Sequence, residues 1–150
     1  MEKKICNLII AFIFISICIP LNACAQSRIL ADLPSGNGVE KLYINKALVN
    51  MGVQNKKETF NYEGMTGDIQ GIEMYSCENA SLTPSIKIKI DEILKQYNAV
   101  VMIESEENGE TSEIYNLYDK KEKGKSIGMA IIESGDTKID IVIIHGATIQ

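Results

Sequence analysis

The sequence predicts an α+β domain: a single antiparallel sheet of about five to six strands, with two or three helices packed on one face. Three observations carry this expectation. Between Ala99 and His145 four strand-like runs are separated by short turn signals, the pattern of a four-strand antiparallel meander. Thr83-Pro84 opens a segment whose apolar residues recur at helical spacing. Upstream of it, Val39 to Asn45 and Gln70 to Cys77 alternate with the period of strands. Helices beside an antiparallel sheet, rather than alternating with parallel strands, place the chain in the α+β class.

Each element has a local reason. Ser27 to Leu33 can form a short helix with Ile29, Leu30 and Leu33 on one side, ended by the loop Pro34-Ser35-Gly36-Asn37-Gly38. In the first strand Leu42 and Ile44 share one face, and Lys41, Tyr43 and Asn45 the other. From Lys46 the period changes: Ala47, Leu48 and Met51 suit one or two helical turns, ended at Gly52. Gln54 to Asp68 is polar and glycine-containing and predicts a loop or irregular hairpin; Gly64, Gly67 and Gly71 read as loop glycines. In the second strand Ile72 and Met74 alternate against Glu73 and Tyr75.

Thr83 suits a helix cap and Pro84 a first helical position, where a missing N–H costs nothing. Ile86, Ile90, Ile93, Leu94 and Tyr97 then make one apolar stripe. In the meander, Asn108-Gly109 predicts a tight hairpin, since both residues accept positive φ at low cost. The lysine-rich stretch Lys120 to Lys125, broken by Glu122, predicts a solvated turn, and Ser134-Gly135-Asp136 another. Tyr43, Tyr75, Tyr115 and Asn116 alternate with charges, as on a wetted sheet face. Val142 and Ile144 oppose Ile141 and Ile143. If their side is uncovered, it leaves an apolar patch of the kind that marks a partner or ligand surface, with little chain after His145 to cover it.

The N-terminus carries an address. Lys3 and Lys4 precede an apolar run from Leu8 to Leu21, and small residues follow as Ala23-Cys24-Ala25, the three-part pattern of a signal peptide over residues 1–25. Ordinary cleavage would fall before Gln26. Leu21-Asn22-Ala23-Cys24 also fits a lipobox, with Cys24 as the acylated residue; both readings stay open. The run of about fourteen residues is short of the ~20 that span hydrocarbon, which argues against an uncleaved anchor. The expected location is the periplasm, lipid-anchored through Cys24 or soluble. Residues 26–150 suit one domain with one modest core.

Net charge is −5, and removing Glu2, Lys3 and Lys4 makes the remainder slightly more acidic. Without a basic stripe, nucleic acid is not an expected partner, because affinity there comes from Lys and Arg on phosphates. Of four cysteines only Cys77 lies in the domain and outside the leader region, so no internal disulfide is expected and Cys77 reads as a small buried hydrophobe. His145 is the only histidine, too few for a zinc site. Glu104, Glu106, Glu107 and Glu110 crowd the Asn108 turn without EF-hand spacing and read as an acidic hairpin tip. No Walker A, G-x-G-x-x-G or G-x-S-x-G sequence occurs. No catalytic residue, metal ligand or cofactor site is assigned. Tyr43, Tyr75, Tyr115 and His145 are the candidates for a functional surface.

Val39-Glu40-Lys41-Leu42-Tyr43-Ile44-Asn45-Lys46-Ala47-Leu48 resembles the strand-to-helix segment of the DUF 4252 family. Ile69-Gln70-Gly71-Ile72-Glu73-Met74-Tyr75, the amphipathic helix, and the strands ending in Ile143 to Gly146 follow in the same order. The resemblance implies a small exported envelope protein of Gram-negative type with a single α+β domain, and carries no catalytic residues. The expected function is that of a non-enzymatic binding, signalling or interaction module of the envelope, with an envelope protein or small ligand as partner and an acyl contact to the membrane through Cys24. Two alternatives are a small periplasmic hydrolase or transferase using dispersed carboxylates, which needs a concave pocket, and a structural subunit of an envelope complex.

Overall fold

The structure, a computed structural model, describes residues 28–55 and 65–150. The leader, Cys24 and its cleavage neighbours Ala23, Ala25 and Gln26, Gly64 and most of the expected 54–68 loop lie outside the described residues. Eight elements follow in order: β1 (Val39–Asn45), α1 (Lys46–Asn55), β2 (Met65–Cys77), α2 (Thr83–Gln96), β3 (Val100–Glu107), β4 (Glu110–Tyr118), β5 (Ser126–Ser134) and β6 (Ile139–Ile149). The strands form one six-stranded sheet in the order β1-β2-β6-β5-β4-β3, every pair antiparallel. The expected meander is thus β3 to β6, and the β1–β2 pair joins it along β6.

Local chemistry sets the turns. Asn108 and Gly109 have φ of 54° and 82°, the left-handed pair that a two-residue hairpin with the sheet's twist requires. At the end of α2, Ala99 N–H donates to Leu94 O and Asn98 N–H to Lys95 O, with Asn98 at φ 44°. That is a Schellman closure, in which asparagine takes the left-handed position usually held by glycine. In the lysine-rich turn Asp119 Oδ1 accepts the N–H groups of Lys121 and Glu122, and Lys125 pairs with Glu122 at 2.9 Å.

The core lies on one face of the sheet. Tyr75 and Cys77 of β2, Ile139, Ile141 and Ile143 of β6, Ala130 and Ile132 of β5, and Leu117 of β4 meet Ile86 and Ile90 of α2. Ile29, Leu30 and Leu33 extend this cover beyond the helix. Each large apolar side chain so buried contributes roughly 1.5–3 kcal/mol.

Several expectations change. There are two helices, not three: residues 29–33 form turns, because the N–H groups of Ile29 and Leu30 bond to the Glu73 carboxylate and Pro34 follows. α1 runs through Gly52 to Asn55. Thr83 is already helical; its hydroxyl donates to Asn79 O and Leu82 occupies the cap position. Tyr75 does not lie on a wetted face: it is 1% exposed, on the side that α2 covers, where Tyr43 and Tyr115 are half-buried. Asn116 faces the other way and is also buried.

β2 and β6 are longer than their alternation suggests, and the added ends explain the glycines. Gly67 and Gly71 sit inside β2, on either side of a register shift against β6. Gly67 and Gly146 have φ of 119° and 82°. A Cβ on Gly67 would run into the Gly146 carbonyl, and one on Gly146 into the Asp68 carbonyl. Past this kink, residues 147–149 pair with residues 65–67, and Ile149 is clasped by Asn116: Asn116 Nδ2 donates to Ile149 O at 2.7 Å and Ile149 N–H to Asn116 Oδ1 at 2.9 Å. Asn116 belongs to β4, two strands from β6, so the end of β6 curls over β5 on the face opposite α2. Gly146→Ala should therefore cost on the order of 1–3 kcal/mol, whereas Gly124→Ala, at a similar φ with open space around it, should cost less. Urea unfolding midpoints of the two variants check this ordering.

Candidate functional site

Tyr43, Tyr75, Tyr115 and His145 all project to the α2 side of the sheet, but they serve different contacts. Tyr43 lies beneath the Arg28 guanidinium, 4.4 Å from ring centre to Cζ. Tyr75 O–H donates to Pro34 O at 3.1 Å. Tyr115 O–H donates to Glu113 Oε1 at 2.9 Å. Burial pushes both Tyr75 and Tyr115 up to about 12, with the neighbouring Cys77 adding to the first and Glu113 to the second. Both phenols are therefore harder to ionise than a free tyrosine.

His145 and Glu73 form the one buried ion-pair geometry among the described residues. Nε2 of His145 donates to Glu73 Oε1 at 2.7 Å, and both side chains are about 5% exposed, at 6% and 5%. The same carboxylate accepts the N–H of Ile29 at 2.7 Å and of Leu30 at 2.9 Å. Burial alone would raise the Glu73 carboxyl, but the hydrogen bonds from His145, Leu30 and Ile29 outweigh it and hold it below the usual range.

The rest of the N-terminal strap, residues 28–34, is gripped by its main chain as well. Lys41 Nζ donates to Leu33 O at 2.5 Å and to Ala31 O at 3.4 Å, and Lys89 Nζ to Asp32 O at 3.3 Å. A carboxylate thus meets the N–H end of the turn and ammonium groups meet its carbonyl end, the charge arrangement that suits a helical turn's dipole. The Glu73–His145 pair could orient an imidazole for acid–base work. Its oxygens, however, are taken up by the strap, and its hydrogen bonds reach no hydroxyl or thiol. The cluster is a clasp that ties the strap to β2 and β6.

The opposite face carries a different feature. The pairing registers align Leu42, Met74, Val142, Ile131, Ile114 and Ile103 as direct neighbours, one from each strand, in a single apolar row across the sheet. Leu42, Met74 and Ile103 are 53%, 42% and 50% exposed, and the three central residues are half-buried. A second row runs Ile44, Ile72, Ile144, Met129, Asn116, Val100; its Met129 and Asn116 are buried, Asn116 in the clasp on Ile149. On the other side the row is bounded by Glu40, Ser76, Asp140, Glu133, Ser112 and Ser105.

One family model, described as a domain of unknown function (DUF4252), matches residues 35–150. The chain belongs to the DUF4252 family. No curated protein and no solved structure matches it. The family description assigns no activity, so the chemistry of this DUF4252 domain rests on its own geometry. Among the described residues, no three His, Cys, Asp or Glu side chains gather as a metal site, and no helix is long and apolar enough to cross a membrane.

The clasp was missed in the sequence because its partners are 44 and 72 residues apart. The one available signal was Glu73, a charged residue at an alternating position between Ile72 and Met74 on a strand whose odd side proves to be the core. Removing the carboxylate leaves an imidazole and two N–H groups unpaired in the core, so Glu73→Ala should cost about 3–5 kcal/mol. Because folding lowers the Glu73 pKa, its contribution is present above the unfolded value of 4.5 and is lost as pH falls through the folded value. Melting temperature against pH should drop more steeply on the acid side of 4.5 for the wild type than for Glu73→Gln.

Proposed function

We propose that this protein is a non-enzymatic interaction module of the cell envelope, exported by its N-terminal leader and held at the membrane by acylation of Cys24, with its uncovered sheet face as the contact surface. The observation that carries the reading is the apolar row from Leu42 to Ile103, one exposed or half-exposed aliphatic residue from every strand. A contiguous apolar surface of this kind marks a contact site more often than a solvated face. The polar chemistry on the covered face supports a binding role over a catalytic one: the Glu73 carboxylate is spent on the strap and on His145. The leader pattern and the residues Leu21-Asn22-Ala23-Cys24 support export and lipidation. The strap begins four residues beyond Cys24, so a lipid on that cysteine would keep the domain within about 20 Å of the bilayer.

A photo-crosslinking residue at Met74 should yield discrete adducts in intact envelopes, and one at Lys87, on the outer side of α2, should not. Equal yields at both positions would contradict the reading. Intact mass should show an acylated Cys24, and Cys24→Ser should leave the membrane fraction; a mass beginning at Gln26 would rule out the anchor.

A further inference from the structure

The apolar row has a charged neighbour on one side only. Glu40, Asp140 and Glu133 stand in the adjacent cross-strand row, and that row runs into a recess of about 480 Å³ between the β3–β4 and β5–β6 hairpin ends. Glu107, Glu110, Glu133 and Asp140 line the recess against a single lysine, Lys138, which pairs with Asp140 at 2.9 Å. An aliphatic strip with an acidic border on one flank is the complement of a segment that is apolar on one side and basic beside it. Resting on the reading of this face as a contact surface, we propose that its partner is an amphipathic helical segment carrying lysine or arginine along one flank of its apolar stripe.

Two other occupants fit less well. The row spans six strands, about 24 Å, and about 10 Å in width, on the order of 240 Å² a side. A stable dimer buries roughly 800 Å² per partner, so a second copy of this chain seated on the row alone falls short. In the second row Asn116 and Met129 are already buried, so its middle adds nothing to such an interface. An anionic bilayer surface would meet Glu40, Glu133 and Asp140 with like charge. A helix of about sixteen residues matches the length of the row.

The test uses the exported protein and two labelled peptides of about sixteen residues, one built from Leu and Lys as an amphipathic helix and the other with Glu in place of Lys. Fluorescence anisotropy should show binding of the Leu/Lys peptide and not of the Leu/Glu peptide. Val142→Asp adds negative charge, so general electrostatic attraction to the basic peptide would rise. Docking on the row would instead weaken by about tenfold or more, as on loss of a central apolar anchor. Met74→Gln, at a more exposed position, should weaken it too and serves if Val142→Asp does not fold. Glu133→Gln with Asp140→Asn should weaken binding several-fold. Equal binding of the Leu/Glu peptide, or a wild-type dimer in sedimentation that Val142→Asp dissociates, overturns the basic helical partner while leaving the row a contact surface. Binding of the Leu/Lys peptide unchanged by both row variants overturns the proposal and the contact-surface reading together.

Discussion

Strand β6 is apolar on both sides. Ile139, Ile141 and Ile143 face α2 and are no more than 2% exposed, while Val142 and Ile144 face away from it and are half-buried. One fourteen-residue helix and the strap can cover one face of a six-stranded sheet, not two. The surplus follows from the sequence of the central strands and from the shortage of helices. The chain meets part of it with its own end: Gly67 and Gly146 let β2 and β6 kink together, and Asn116 fastens Ile149 on the face opposite α2. What remains is the row from Leu42 to Ile103, with the ends of the second row beside it.

The covered face depends on a polar interaction at its margin. Glu73 would be a costly residue to bury by itself, since an unpaired carboxylate in a core is strongly unfavourable. It is satisfied by one imidazole and two main-chain N–H groups, and these come from β6 and from the strap. The clasp therefore joins three parts of the chain that share no local sequence, and it closes the core over Ile29, Leu30 and Leu33. The two faces divide the work: polar groups hold the chain's own N-terminal segment on one, and aliphatic side chains remain available on the other.

Much of this fold was legible in the sequence because it rests on local rules. The α2 stripe, the Asn108-Gly109 hairpin and the alternation of Val39 to Asn45 depend on spacing within a dozen residues. The strap was not legible as a turn, because Ile29, Leu30 and Leu33 satisfy a helical spacing and only Glu73, far along the chain, diverts their N–H groups. The alternation of Tyr75 with Met74 shows that two faces exist without showing which one a helix covers, so the side of Tyr75 is not readable from it. The candidate surface was partly legible. Val142 and Ile144 mark an apolar second side, but their alignment with Leu42, Met74, Ile131, Ile114 and Ile103 needs the pairing registers and the placement of β1–β2 along β6, which the sequence pattern does not contain. Gly67 and Gly146 were unreadable for a similar reason: each is required by a backbone contact with the other's strand.

The most direct test of this account is the stability of the isolated protein when each face is made polar. Urea unfolding would compare Leu42→Gln with Met74→Gln, together, against Ile141→Thr alone. With the row uncovered in the folded chain, the double variant should lie within about 1 kcal/mol of wild type, as surface substitutions do, while the core variant loses about 2–4 kcal/mol. A double variant that loses as much as Ile141→Thr would mean that the chain's own structure already buries the row, and the account of an uncovered contact face would be wrong.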